Sequence, residues 1–187
     1  TATEIPSSAT GVVRIDLDAI AANWTALAKR VSPAECAAVV KADGYGLGAD
    51  RVIPALLNAG CRTFFVATPL EAVEARALAP DARIFVLDGL FPGASDTLLS
   101  AGAIPALASF AEVLQWSAYA RHIGATLQTA LHVDSGLNRL GMSAAEVQSL
   151  LAEPDLLAPL DIVLVMSHMA SADDPSDPAR AAGVIDA

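Results

Sequence analysis

The sequence predicts an α/β fold, a parallel sheet covered by helices, and three observations carry that prediction. Continuous apolar runs alternate with amphipathic helical stretches over about six strand-then-helix units. Gly60, Gly102 and Gly124 each follow a helical stretch, where a left-handed C-cap is wanted. A lysine, Lys41, stands just after an apolar run, at the end of a parallel strand where α/β folds build their sites.

Taken in order, residues 1–11 form a polar lead-in with Pro6 and two serines. Residues 12–17 alternate in character and read as a short strand. Asp18 is the expected N-cap of a helix whose buried stripe is Ile20, Trp24, Leu27 and Val31. The regular units follow. Strands are expected at 36–40, 63–67, 83–87, 104–108, 126–133 and 162–167, and helices at 49–58, 69–78, 94–101, 110–123 and 143–152. A final helix is expected from about Asp177, after an Asp/Pro/Ser stretch at 173–178 that comes nearest to a linker. Both an open doubly wound sheet and a closed eight-stranded barrel fit this pattern. Against a barrel the count is about two units short, and the rhythm gives no reason to stop at Ala187, so the sequence reads as truncated.

Composition narrows the function. The chain has 187 residues, enough for one domain with a sizeable core, and 54% of them are hydrophobic. That is rich for a soluble monomer, and it points to a face covered by a partner or by the rest of a longer chain. A net charge of −10 without a Lys/Arg cluster argues against nucleic acid and anionic membrane surfaces as partners. Charged or turn residues interrupt every apolar run before the roughly 20 residues needed to span a bilayer. Cys36 and Cys61 have no second Cys or His at metal-ligand spacing and read as small buried thiols. The N-terminus lacks a basic segment followed by an apolar one, so a cytoplasmic location is expected.

The most informative stretch is Val39-Val40-Lys41-Ala42-Asp43-Gly44-Tyr45-Gly46-Leu47-Gly48-Ala49. A lysine at a partly desolvated mouth is a nucleophile or base, and a Schiff base to an aldehyde cofactor is the chemistry that setting favours. The glycines let the chain turn sharply beside a bulky ligand, and Tyr45 offers a hydroxyl. Gly44-Tyr45-Gly46-Leu47-Gly48-Ala49 also matches a dinucleotide-binding glycine pattern, but the acid expected at the end of the next strand is missing. Two further clusters end later strands. In Leu131-His132-Val133-Asp134-Ser135-Gly136-Leu137-Asn138-Arg139-Leu140-Gly141-Met142, Arg139 is a donor fork for carboxylates or cofactor oxygens, or else a surface partner of Asp134. In Met166-Ser167-His168-Met169-Ala170-Ser171-Ala172-Asp173-Asp174, His168 stands at a strand end, and Ser171 and Asp173 are placed to cap the following loop.

Together these three motifs, in this order and spacing, resemble the alanine racemase family of barrel-type (fold type III) pyridoxal-phosphate enzymes. The 15–23 stretch resembles a recurring family opening, so the likeness covers nearly the whole chain. The resemblance implies a TIM-like (β/α)8 barrel of which about six units are present, with residues 1–17 as lead-in and strand packing with a C-terminal β-domain, and 18–187 as the cofactor-binding domain. It implies pyridoxal 5'-phosphate held by Lys41 as a Schiff base, Tyr45 on the cofactor phosphate, and Arg139 on the phenolic oxygen and the substrate-carboxylate side. It further implies His168 supporting a later arginine that reaches the pyridine nitrogen. Two positions depart from the family. Leu47 stands where many members have histidine. His132 stands where many carry a carbamylated lysine, so His132 itself, a bound anion or a carboxylate must orient Arg139.

The resemblance implies interconversion of L- and D-alanine, supplying D-alanine for peptidoglycan. Lys41 would be the base on one face, and a tyrosine from the second subunit of a homodimer the base on the other. Neither Tyr45 nor Tyr119 matches that second base, so these 187 residues alone are expected to be inactive. A broad-specificity racemase or an amino-acid decarboxylase of the same barrel type, and a non-catalytic cofactor-binding module, are the alternatives.

Overall fold

The computed structural model of the chain describes residues 8–171 and Ser176. Helix α1 (Leu17–Val31) leads into strand β1 (Ala38–Val39), a short turn α2 (Lys41–Gly46) and helix α3 (Ala49–Ala59). Strand–helix pairs follow: β2 (Thr63–Val66) and α4 (Pro69–Leu78), β3 (Arg83–Val86) and α5 (Ser95–Ala101), β4 (Ile104–Leu107) and α6 (Phe110–Ile123). Then come β5 (Leu127–His132), α7 (Ala144–Ala152), a 3-10 turn at Pro154–Leu157 and β6 (Leu160–Met166).

The six strands form one sheet in the order β1-β2-β3-β4-β5-β6, every neighbouring pair parallel. This order decides between the two architectures the pattern allowed. A doubly wound sheet reverses its strand order at a switch point, whereas a barrel adds its staves one after another. The described residues therefore form six consecutive staves of a partial barrel.

Alternation along each strand splits the core in two. Outward-facing Phe64, Val66, Ile84, Val86, Leu107 and Leu131 pack under the helices. Their helical partners include Ile53 and Leu56 of α3, Ala72 and Ala75 of α4, and Val113 and Trp116 of α6. Inward-facing Phe85, Ile104, Ala106 and Ala130 meet Phe65, Val163, Leu164 and Met166 inside the curve of the sheet. Burying each large apolar side chain contributes roughly 1.5–3 kcal/mol. Val165, on the other face of β6 from Leu164 and Met166, stays 64% exposed, as the high apolar content anticipates.

The helices start where side chains can satisfy their free N–H groups. Thr68 and Ser109 cap α4 and α6 at the boundaries the sequence predicts. The start of α1 is a correction. Asp16, not Asp18, is the N-cap, its Oδ1 accepting Ala19 N–H at 2.9 Å, and Asp18 lies inside the first turn. The strand expected at 12–17 does not form. Residues 11–16 carry no regular structure and pair with no strand among the described residues, and Leu17 already belongs to α1. The strand expected at 36–40 shortens to two residues, because the chain leaves the sheet at Lys41. Cys61 is fully buried and Cys36 half-buried, both as free thiols. No helix among the described residues is long and apolar enough to cross a membrane. The helix expected from Asp177 and the cap expected of Asp173 lie outside the described residues.

Candidate functional site

Beyond β1 the backbone does something unusual. Ala42, Asp43, Gly44 and Tyr45 all take left-handed helical angles, with φ of 52°, 53°, 61° and 57°. For the three that are not glycine, this costs roughly 1–2 kcal/mol each. The turn is closed by Gly44 N–H to Val40 O at 2.9 Å and Gly48 N–H to Asp43 O at 3.0 Å. Two carboxylates hold its ends. Asp43 Oδ1 accepts Ala49 N–H at 2.7 Å, and Glu71 Oε1 accepts Ala42 N–H at 2.9 Å. The glycine-rich stretch is thus folded upon itself. The N–H groups of Gly44, Gly48 and Ala49 are spent internally, which removes the open phosphate cradle that the dinucleotide reading needs.

After β5 the chain makes a second closed loop. Its base is a bridge between Val133 and Met142, with Asp134 N–H on Met142 O at 2.9 Å and Met142 N–H on His132 O at 2.8 Å. Gly141 sits at that base with φ +119°, and a Cβ there would lie 2.6 Å from Asp134 N, so only glycine fits. Asp134 is not the partner of Arg139. Its carboxylate accepts the N–H groups of Gly136 and Asn138 at 3.0 and 3.1 Å, and these bonds, Asn138 first, hold it below the usual carboxylate range. Asn138 takes φ 54° to complete the turn. Among the described residues no carboxylate pairs with Arg139. The loop is tied to the neighbouring stave by a hydrogen bond between the hydroxyls of Ser135 and Ser167.

These loops converge at the C-terminal end of the sheet on a cleft of about 400 Å³, lined by Val39, Lys41, Tyr45, Phe65, Leu87, Asp88, His132, Arg139, Leu140, Met166 and His168. All four residues singled out in the sequence, Lys41, Tyr45, Arg139 and His168, are among them. Lys41 is half-buried, while Tyr45, Arg139 and His168 are exposed to the cleft. Phe65 stacks on Phe85, with ring centroids 4.8 Å apart, and closes the floor. His132 is 5% exposed, and neither ring nitrogen has a hydrogen-bond partner among the described residues. Burial, and then the nearby His168, push its pKa below the ordinary value, so the neutral ring is favoured. Both nitrogens of this buried ring are therefore open to a hydrogen-bonding group in the cleft. Tyr119 plays no part here. It stacks on Trp116 and donates to Asp96 Oδ1 at 2.6 Å, in the helix layer.

Sequence reasoning missed Asp88, which follows β3 much as Lys41 follows β1, and the apolar lining of Phe65, Leu87, Leu140 and Met166. It also missed a repeated glutamate. Glu71, Glu112 and Glu146 each occupy the third position of a helix capped by Thr68, Ser109 or Ser143. The spacing Ser/Thr-x-x-Glu was the available signal.

The comparisons agree with this geometry. Residues 15–184 match the family model described as alanine racemase, N-terminal domain. An alanine racemase of Rhodospirillum rubrum is 49% identical over 175 residues, covering 92% of this chain and 47% of that protein. One of Brucella ovis is 46% identical, covering 93% of this chain and 44% of that protein. The crystal structure of alanine racemase from Bartonella henselae with covalently bound pyridoxal phosphate superposes with a TM-score of 0.87 at 37% identity, covering 91% of this chain and 50% of that one. The chain thus spans about half the length of the curated relatives it matches. With a family match over nearly all of its residues and a sheet that adds its staves in barrel order, this chain belongs to the alanine racemase N-terminal domain family.

Proposed function

We propose that this chain is the cofactor-binding domain of an alanine racemase, a pyridoxal-phosphate enzyme that interconverts L- and D-alanine. The observation that carries the reading is the convergence of Lys41, Tyr45, Arg139 and His168, from three separate strand ends, on one cleft. The donor set fits pyridoxal phosphate: an amine for its aldehyde, a phenol and a guanidinium for its oxygens, and an orphaned buried imidazole at His132. When bound, the cofactor supplies an electron sink for the negative charge left on the substrate α-carbon.

Lys41 would hold the cofactor through its amine and serve as base and acid on one face, taking or returning the α-proton at Nζ. Tyr45 would hold the cofactor phosphate through its hydroxyl. Arg139, free of any carboxylate partner among the described residues, presents its guanidinium to the phenolic oxygen and the substrate carboxylate side. His132 stands where many relatives carry a carbamylated lysine, and its neutral ring, unpartnered among the described residues and lining the same cleft, is the group of this chain open to orient Arg139. His168 would support an arginine from outside these 187 residues, the one the family resemblance assigns to the pyridine nitrogen. Phe65 and Met166 give the cleft an apolar lining that excludes water.

The proton on the opposite face needs a second base. Tyr119 is engaged in the helix layer, so we assign that role to a residue outside this chain's barrel, contributed across a homodimer. In this reading the residues before α1 are a lead-in to the barrel domain, which takes in Leu17 with that helix, the enzyme is cytoplasmic, its D-alanine feeds peptidoglycan synthesis, and the 187 residues alone do not turn over. The test is α-proton exchange in deuterated water by the full-length protein that carries this chain. Deuterium at the α-carbon of alanine from both enantiomers, with little from lysine, supports the reading. Exchange with lysine but not alanine, or no exchange with either, overturns it.

A further inference from the structure

The left-handed turn at Lys41 is costly, and its compensation comes from the next stave. Glu71 on α4 divides its two carboxylate oxygens between two jobs. Oε2 closes the cap of its own helix, accepting Ala67 N–H at 2.6 Å and Thr68 N–H at 3.4 Å. Oε1 crosses to the preceding loop and accepts Ala42 N–H at 2.9 Å. That N–H belongs to the peptide joining Lys41 to Ala42, the first residue of the left-handed run.

Two more glutamates reach back to the preceding stave, and Glu146 divides its oxygens in the same way. Glu112 accepts Ala108 N–H at 2.6 Å in its own unit, and its carboxylate lies against Gly89 and the Leu90 backbone of the preceding one. Glu146 closes its own cap on Ser143 at 2.9 Å and reaches back to Phe110 N–H at 3.2 Å. Each glutamate latches one stave to the stave before it at the C-terminal rim. Helix capping needs one oxygen, and the second is the latch. Only at Glu71 does the latch land one peptide from the proposed cofactor lysine.

We infer that Glu71 is a positioning residue for Lys41: its second oxygen fixes the Lys41–Ala42 peptide in the left-handed conformation that aims the lysine amine into the cleft. The inference rests on the cofactor reading of Lys41, and its test separates the two. Glu71→Gln keeps a carbonyl oxygen for the cap but turns an NH2 toward the Ala42 N–H, donor against donor. Ala42→Gly removes the steric cost of φ 52°.

Full-length apo-protein is mixed with pyridoxal phosphate, and the rate of borohydride-fixed pyridoxyl on Lys41 is followed by mass. Amide exchange of the 41–48 peptide is read in the same cofactor-free protein. Expected for Glu71→Gln are capture slowed about tenfold or more and faster exchange at Ala42, from loss of a charge-assisted hydrogen bond. Adding Ala42→Gly should restore part of the capture rate. Glu112→Gln, which breaks a latch elsewhere, should leave exchange at Ala42 unchanged. A Glu71→Gln protein that captures cofactor at the parental rate with unchanged exchange overturns the inference. So does slowed capture that Ala42→Gly does not relieve and Glu112→Gln reproduces, since that is loss of capping alone. If Glu71→Gln fails to fold, Glu71→Asp, which shortens the reach while keeping both acceptors, is judged by the same exchange at Ala42. Absence of any adduct on Lys41 in the unaltered protein defeats the cofactor reading instead, and the exchange comparison still decides the role of Glu71.

Discussion

The two ends of the same six strands are built on opposite terms. At the N-terminal end, Glu35 pairs with Arg83 and accepts the Thr63 hydroxyl at 2.5 Å, Arg83 Nε donates to that hydroxyl at 3.1 Å, and Cys61 Sγ meets Thr63 O at 3.3 Å. Every polar group in that cluster has a partner. At the C-terminal end the backbone is left-handed at Ala42, Asp43, Tyr45 and Asn138, Arg139 has no carboxylate among the described residues, and both nitrogens of His132 are orphaned. Between the two lies the Phe65–Phe85 stack. The contrast teaches where this fold keeps its stability and where the proposed chemistry sits: among the described residues the left-handed non-glycine backbone and the unpartnered His132 ring gather at the proposed binding end, the Glu35 cluster at the other end is satisfied, and the remaining buried polar atoms without a partner, on Trp116 and Ser117, belong to α6.

Four changes break or sharpen that contrast. The largest effect belongs to Lys41→Ala. In the full-length protein it should lower racemisation by at least about 10³-fold. Because Lys41 is only half-buried at the mouth, its melting temperature should stay within a few degrees of the parent in the absence of cofactor. Steady-state racemisation and thermal melting read the two arms.

Gly141→Val comes next and fails differently. It forces a β-branched residue to φ +119° and puts a Cβ against the Asp134 backbone, so it should cost about 3 kcal/mol or more and open the Arg139 loop. Denaturant unfolding measures that loss, and cofactor binding should weaken in step.

Glu35→Gln tests the other end. Both partners of its ion pair are about half exposed, so the loss should be about 1 kcal/mol or less, with cofactor capture unchanged. The Thr63 hydrogen bond, and then Arg83, hold the Glu35 carboxyl below its ordinary value of 4.5. A lowered carboxyl stabilises the fold above that pH, and the advantage fades as pH falls through the lowered value. The gap between parent and Glu35→Gln in urea unfolding should therefore narrow under acid.

The smallest effect is the pH dependence of His132. Burial favours its neutral form, so the unfolded chain binds the proton more readily than the folded one below the ordinary value of 6.5. Cofactor-free protein should lose stability as pH falls from about 7 toward 5, and His132→Gln should flatten that slope in melts across the same range.

How much of this was legible follows from the same contrast. The boundaries of α4 and α6 can be read off because Thr68, Pro69 and Ser109 announce them through backbone needs that no distant residue alters. The strand-end position and motif context of Lys41, Arg139 and His168 led to one cleft. The left-handed turn was not legible, because Ala42 and Tyr45 have no intrinsic preference for positive φ, and Glu71, 29 positions away, helps to hold it. The strand expected at 12–17 failed for a related reason. Alternation alone does not make a strand without a neighbour to pair with, and Asp16 found its partner in Ala19 N–H of a helix. The apolar lining of Phe65 and Met166 was hidden because inward and outward positions of a buried parallel strand look alike in sequence.

The measurement that meets the central claim most directly is chemical trapping. Full-length protein is loaded with pyridoxal phosphate, reduced with borohydride, digested, and mapped by mass. A stable pyridoxyl adduct on Lys41, absent from the Lys41→Ala protein, is the predicted result. An adduct on another lysine, or none on a folded protein that otherwise binds the cofactor, would contradict the assignment of this cleft as the cofactor site.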